Sequence, residues 1–174
     1  MTAKSHATTG PFAISWRVEM REPIMCAALG RRTLFFLPDL NSRDLVAYST
    51  ADGTLRWRTP ASGIRYRILW CDSLLVLYWQ RSEGSEAYIC LTAYEEETGR
   101  QVWNHSFPET KKNLFVPVAF GGSFLHPGTG GLAYLRDGRT GTVQDTYPLS
   151  STRLFMHALM SADTIYSLAW QGKE

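Results

Sequence analysis

Ala93-Tyr94-Glu95-Glu96-Glu97-Thr98-Gly99-Arg100-Gln101-Val102-Trp103 repeats the earlier stretch Ala47-Tyr48-Ser49-Thr50-Ala51-Asp52-Gly53-Thr54-Leu55-Arg56-Trp57, with the same spacing from alanine to tryptophan. A looser third copy runs from Ala133-Tyr134 to Thr140-Gly141. Self-similarity at an interval of roughly 20–50 residues marks a repeat architecture, in which one small unit is copied and stacked. Each copy closes an apolar run, bends at a glycine that tolerates positive φ, and leaves along a second extended run.

Further out, two apolar runs around a tight turn precede each copy. The arms are 24–29 and 33–37 about Gly30-Arg31-Arg32, 66–70 and 74–79 about Cys71-Asp72-Ser73, and 114–120 and 123–126 about Gly121-Gly122. Two more arms, 154–160 and 164–170, follow the third copy. Naming the runs A, B, C and D gives a four-stranded antiparallel meander per repeat, which is the blade of a β-propeller. Ile14-Ser15-Trp16-Arg17 resembles Leu55-Arg56-Trp57-Arg58, so the expected order is D, then A to D three times, then A and B. The expected fold is all-β, a partial propeller of about three to four blades. It occupies 12–174, after a flexible leader at 1–11 that is rich in Thr, Ser and Gly. A helix over 153–160 competes with the strand there, because Leu154, Phe155, Ala158 and Leu159 share a helical side.

The bulk composition agrees. The chain has 174 residues, enough for one domain with a real core, and its 44% hydrophobic and 20% charged residues are ordinary for a globular protein. Aromatics reach 13%, a load that suits packed sheets. A formal net charge of +2 argues against a nucleic-acid partner. The apolar runs are too short to span a bilayer as helices, and 1–10 lacks the apolar core of a secretory signal. Cys26, Cys71 and Cys90 are odd in number and in no CxxC spacing, so they are expected as buried thiols in a reducing, cytoplasmic setting.

The repeated stretch resembles the tryptophan-docking motif of PQQ-like, quinoprotein-type propeller repeats, A-x-D-x-x-T-G-K-x-x-W. Ala47 and Ala93 occupy its alanine, Gly53 and Gly99 its glycine, Thr98 its threonine, Arg100 its basic residue, and Trp57 and Trp103 its tryptophan. Trp16 resembles the end of a further copy. In the third copy Ala133 and Gly141 match, two extra residues precede Thr140-Gly141, and Asp145 takes the tryptophan's place. The resemblance implies that these residues dock one blade on the next. Enzymes of the family hold a quinone and calcium in the channel of a complete propeller of about eight blades, beside an adjacent cysteine pair. This chain has fewer blades and no Cys-Cys, so no cofactor is expected.

Other constellations carry less. His6, His105, His126 and His157 stand at no ligand spacing and read as structural or surface residues, and no metal is expected. Glu95-Glu96-Glu97 reads as solvated turn charge. Gly128-Thr129-Gly130-Gly131 precedes a strand rather than opening a helix, so it fails as a phosphate loop, and no G-x-S-x-G elbow is present. Arg56 and Arg58 flank Trp57, and Arg65 and Arg67 flank Tyr66. They either guard a strand edge or form a patch for an acidic partner or polyanion. The expected function is a non-catalytic scaffold that binds another protein, or a second copy of itself, through its loop faces. A degenerate quinoprotein-type enzyme fragment is the alternative, and polyanion binding through the arginines the further one.

Overall fold

The computed structural model describes residues 24, 26–37, 44–61, 63–109, 116–128, 132–148, 154–161 and 164–170, with side chains throughout except at 64–66 and over the last two strands. The leader at 1–11 and the strand expected around Trp16 lie outside these residues.

Three four-stranded antiparallel sheets follow one another along the chain, each in simple sequence order. The first is β1 (Cys26–Leu29), β2 (Thr33–Leu37), β3 (Asp44–Ser49) and β4 (Leu55–Pro60). The second is β5 (Ile64–Cys71), β6 (Leu74–Glu83), β7 (Glu86–Glu95) and β8 (Gln101–Pro108). The third is β9 (Val118–Phe120), β10 (Ser123–Pro127), β11 (Leu132–Asp137) and β12 (Val143–Pro148). A hairpin of β13 (Leu154–Ser161) and β14 (Thr164–Trp170) comes last, so the helix considered over 153–160 is a strand. The β13 ladder to β14 overrides the helical periodicity of four apolar residues. Among the described residues no helix is long and apolar enough to cross a membrane.

First strands touch first strands: β1 meets β5, β5 meets β9, and β9 meets β13. The sheets are therefore blades of a partial propeller, stacked about their inner strands, with β4, β8 and β12 outermost. The middle strands are buried on both faces, which is why they read as continuous apolar runs. Alternation along β6 sends Leu75 and Leu77 toward the first blade, where they meet Phe35, Leu37, Leu45 and Ala47. It sends Leu74 and Val76 the other way, into a core with Leu91, Ala93 and Phe124 of the third blade's side. The core is thus two apolar layers between blades, with a smaller buried cluster of Phe36, Val46 and Tyr48 within the first blade. Every C–D pair also carries a bulge at the same place, between Ala47 and Tyr48, between Ala93 and Tyr94, and between Leu135 and Arg136. Each bulge bends its outer strand and adds to the local twist.

Candidate functional site

The C–D turns are built alike. Gly53, Gly99 and Gly141 have φ of 71°, 68° and 71°. Their N–H groups donate to the carbonyls of Ser49, Glu95 and Asp137 at 2.9, 3.0 and 2.8 Å. Only glycine adopts this left-handed geometry without strain. Side chains close the loops: Thr98 Oγ1 donates to Glu95 Oε2 at 2.7 Å, and the Thr54 N–H donates to Asp52 Oδ1 at 3.1 Å. Arg100 also pairs with Glu95, and its hydrogen bonds, with that of Thr98, hold the exposed carboxyl below its ordinary range.

On these turns the tryptophans of the preceding blade land. The Trp57 indole N–H donates to Glu96 O at 2.8 Å, and the Trp103 N–H donates to Gly138 O at 3.1 Å. Glu96 and Gly138 hold the same place, three residues before the turn glycine. A Cβ on Gly99 would stand 2.6 Å from the Trp57 ring, and one on Gly141 would stand 3.0 Å from the Trp103 ring. The rings reach inward as well: Trp57 lies 5.7 Å from Phe35, and Trp103 stacks 6.2 Å from Phe124. Ala47 and Ala93 sit directly opposite the two tryptophans in the ladder and are fully buried. Trp16 lies outside the described residues.

The family profile of the outer membrane protein assembly factor BamB matches residues 8–169. The chain belongs to this family of PQQ-like propellers. BamB from Moraxella catarrhalis has the same fold at 16% identity and a TM-score of 0.64, over 87% of this chain and 45% of that one. The computationally designed Ika4 protein matches at 9% identity and 0.63, over 88% of this chain and 93% of its own. A europium-containing methanol dehydrogenase matches at 10% and 0.50, over 69% and 23%. At these identities the likeness carries the fold alone, and the chain spans less than half of the BamB structure. Comparison with curated protein sequences gives no match.

The BamB-like repeat clarifies the third copy. Leu135, not Ala133, faces Asp145, just as Ala47 faces Trp57. Ala133 instead pairs with Tyr147. No residues are inserted: Asp137-Gly138-Arg139-Thr140-Gly141 is a full D-x-x-T-G turn, in which Asp137 Oδ1 accepts from the N–H groups of Arg139 and Thr140 at 2.8 and 2.9 Å. The Thr140 N–H leads in holding this carboxyl below its usual range. The repeated Ala-Tyr pair is a coincidence of spelling that only the ladder register exposes.

Other expectations change too. Arg56 and Arg58 lie on outermost β4, whereas Arg65 and Arg67 lie on innermost β5, so the four do not form one patch. Arg56 reaches Glu97 at 2.7 Å and Arg58 reaches Asp44 at 3.4 Å. The three glutamates are not uniformly solvated. Glu96 is buried, and its Oε1 accepts from the Arg32 N–H at 2.7 Å, tying the second blade's C–D turn to the first blade's A–B turn. A cleft of about 460 Å³ lies there, lined by Arg31, Arg32, Ser73 and Glu95 to Glu97. Among the described residues no three His, Cys, Asp or Glu side chains gather as metal ligands.

His126 and Arg136 were not singled out by their pattern. They replace the apolar pair of other blades: Leu77 with Tyr94, or Phe36 stacked 5.3 Å from Tyr48. His126 is fully buried. Its Nε2 accepts from Arg136 Nε at 2.8 Å, so the ring proton sits on Nδ1, 2.8 Å from Pro127 O. Arg136 also donates to Gly141 O at 2.6 Å, in the turn that receives Trp103. Burial first, and the Arg136 charge second, pull the His126 pKa down to about 3.

Two outcomes are expected. Trp57→Ala and Trp103→Ala each destabilise by about 3 kcal/mol in urea unfolding, and Gly99→Ala by more than about 1 kcal/mol. Below pH 6.5 the unfolded imidazole takes a proton that the folded one refuses until about pH 3. Stability is therefore full above 6.5 and falls by about 1.4 kcal/mol per pH unit in that window. The double change His126→Leu with Arg136→Tyr, which restores the second blade's pair, should flatten this acid slope in pH-dependent melts.

Proposed function

We propose that the chain is a non-catalytic interaction module that binds another protein through the face carrying its A–B and C–D turns. Antiparallel order puts these turns on one side of the blades. The observation that carries the reading is the distribution of exposed apolar side chains. Leu29 and Phe120 are exposed at the ends of the first strands of their blades, and Leu55, Val102 and Val143 at or next to the start of the last strands. These are five of the six exposed large apolar side chains among the described residues, and all five stand on the turn side; the sixth, Ile24, lies at the other end of β1. Exposed apolar residues gathered on one face mark a protein contact better than scattered ones do. The family name, a protein assembly factor, supports a protein partner in general terms.

The cytoplasmic placement is part of the same proposal. It rests on Cys26, Cys71 and Cys90 being unpaired thiols, with burial pushing Cys71 up to about 12. The family name points instead to an envelope assembly, and cell fractionation separates the two.

The expected result is that the unaltered chain co-purifies with a stoichiometric protein partner. A Leu29→Glu, Phe120→Glu chain should keep its melting temperature and lose that partner. Saturable quenching of tryptophan fluorescence by pyrroloquinoline quinone with calcium would favour the enzyme fragment instead. Salt-dependent heparin retention that Arg56→Glu with Arg58→Glu abolishes would favour polyanion binding.

A further inference from the structure

The last strand of a blade ends its sheet, so half of its backbone N–H and C=O groups have no partner within the blade. β4, β8 and β12 are such strands, and they align position by position. The Glu109 N–H donates to Ala87 O at 2.7 Å, which sets the parity of the β7–β8 ladder. By alternation Phe107, His105 and Trp103 turn their backbone groups toward β7, while Ser106 and Asn104 turn theirs outward. Both side chains are exposed.

Ser106 pairs with Cys90, three positions beyond the place where Trp103 faces Ala93. The same place in the first blade is Pro60, opposite Asp44, and in the third it is Pro148, opposite Leu132. Proline has no N–H, and on an edge strand it stands where that N–H would face outward. The place of Asn104 is taken in β4 by Arg58, a cation on the edge. In β12 Asp145 puts a charge beside the corresponding Thr146. Two of the three edges therefore carry both devices that stop strands from adding, a proline and a charge. β8 differs on both counts: Gln101 to Phe107 is uncharged, and its proline stands two positions further on, at the strand's last residue Pro108, which leaves the outward N–H groups of Asn104 and Ser106 open.

We propose that β8 is a homodimer edge, to which a second copy adds its own β8 antiparallel about a two-fold axis through His105. This register sets Asn104 against the second copy's Ser106, both with outward backbone groups, and Ser106 against the second copy's Asn104. Trp103 then lies across from the second copy's Phe107, an aromatic cross-strand pair. An isologous contact must complement itself. β8 meets that demand because Gln101 to Phe107 carries no charge, whereas the same register in a β4 pair would set two copies of Arg58 diagonally on one face. An uncharged strand with a polar pair on one face and an aromatic pair on the other fits its own copy better than a charged foreign segment. The outer rim is used, so the proposal is independent of the partner-binding reading of the turn face.

The test is sedimentation equilibrium of the full chain over a concentration series, with circular dichroism and melting as checks on folding. A dimer is expected. Ser106→Pro, which gives the middle blade its neighbours' proline, and Asn104→Lys should each raise the dissociation constant by at least about tenfold. Neither should change the monomer's fold, because the groups they alter face outward. Thr146→Lys on β12 should leave the dimer intact. A chain that stays monomeric at every concentration overturns the proposal. So does a dimer that persists unchanged in folded Asn104→Lys protein.

Discussion

An indole N–H bonded to a carbonyl of the next blade's turn, above a glycine that has no side chain to obstruct the ring, is the contact on which this architecture depends. A four-stranded sheet buries little alone, and its free faces must be covered by neighbours. Trp57 and Trp103, on the outermost strands of their blades, meet that need by bonding to the next blade's turn. The turn must present both a carbonyl and open space at one spot. Left-handed Gly99 and Gly141 supply the bend and the space together. The aromatic layer continues inward through Phe35 and Phe124, so each tryptophan joins a surface turn to the core.

The third blade keeps the turn and changes its surroundings. Trp103 still docks on it, but no tryptophan leaves the blade, because Asp145 holds that place. Where the first two blades use apolar pairs, the third buries a neutral histidine under an arginine. Desolvation makes such a pair a poor substitute for hydrocarbon unless every polar atom is answered. Here the imidazole is answered on both nitrogens, and Arg136 extends to Gly141, joining the buried pair to the docking turn. Acid sensitivity is therefore placed at the junction of the second and third blades.

Much of this was legible in the residues. The spacing from alanine to tryptophan, the glycine between them, and the hairpins upstream suffice for the blades and for the family. Less legible was anything that depends on which residue lies across the ladder. Ala133-Tyr134 looks like the third copy's alanine by spelling, yet a bulge and the pairing of Leu135 with Asp145 place it elsewhere. Arg56, Arg58, Arg65 and Arg67 are close in sequence, but the connection between β4 and β5 crosses from the outside of one blade to the inside of the next. Glu95, Glu96 and Glu97 read as one acidic run, and the burial of Glu96 and its bond from the Arg32 N–H set it apart.

Taken by itself, the sequence determined the repeat, the all-β class, the turn glycines and the identity of the docking tryptophans. Those features follow from local chemistry: period-two burial, positive φ, and a large ring at a constant offset. Tertiary structure alone decided which turn each ring meets, that His126 is buried against Arg136, and that the middle blade's edge proline falls two positions beyond the place its neighbours give it. Each of these is a relation between residues far apart along the chain. Strand register, which sets such relations, is fixed by the packing of whole faces rather than by any short stretch of residues.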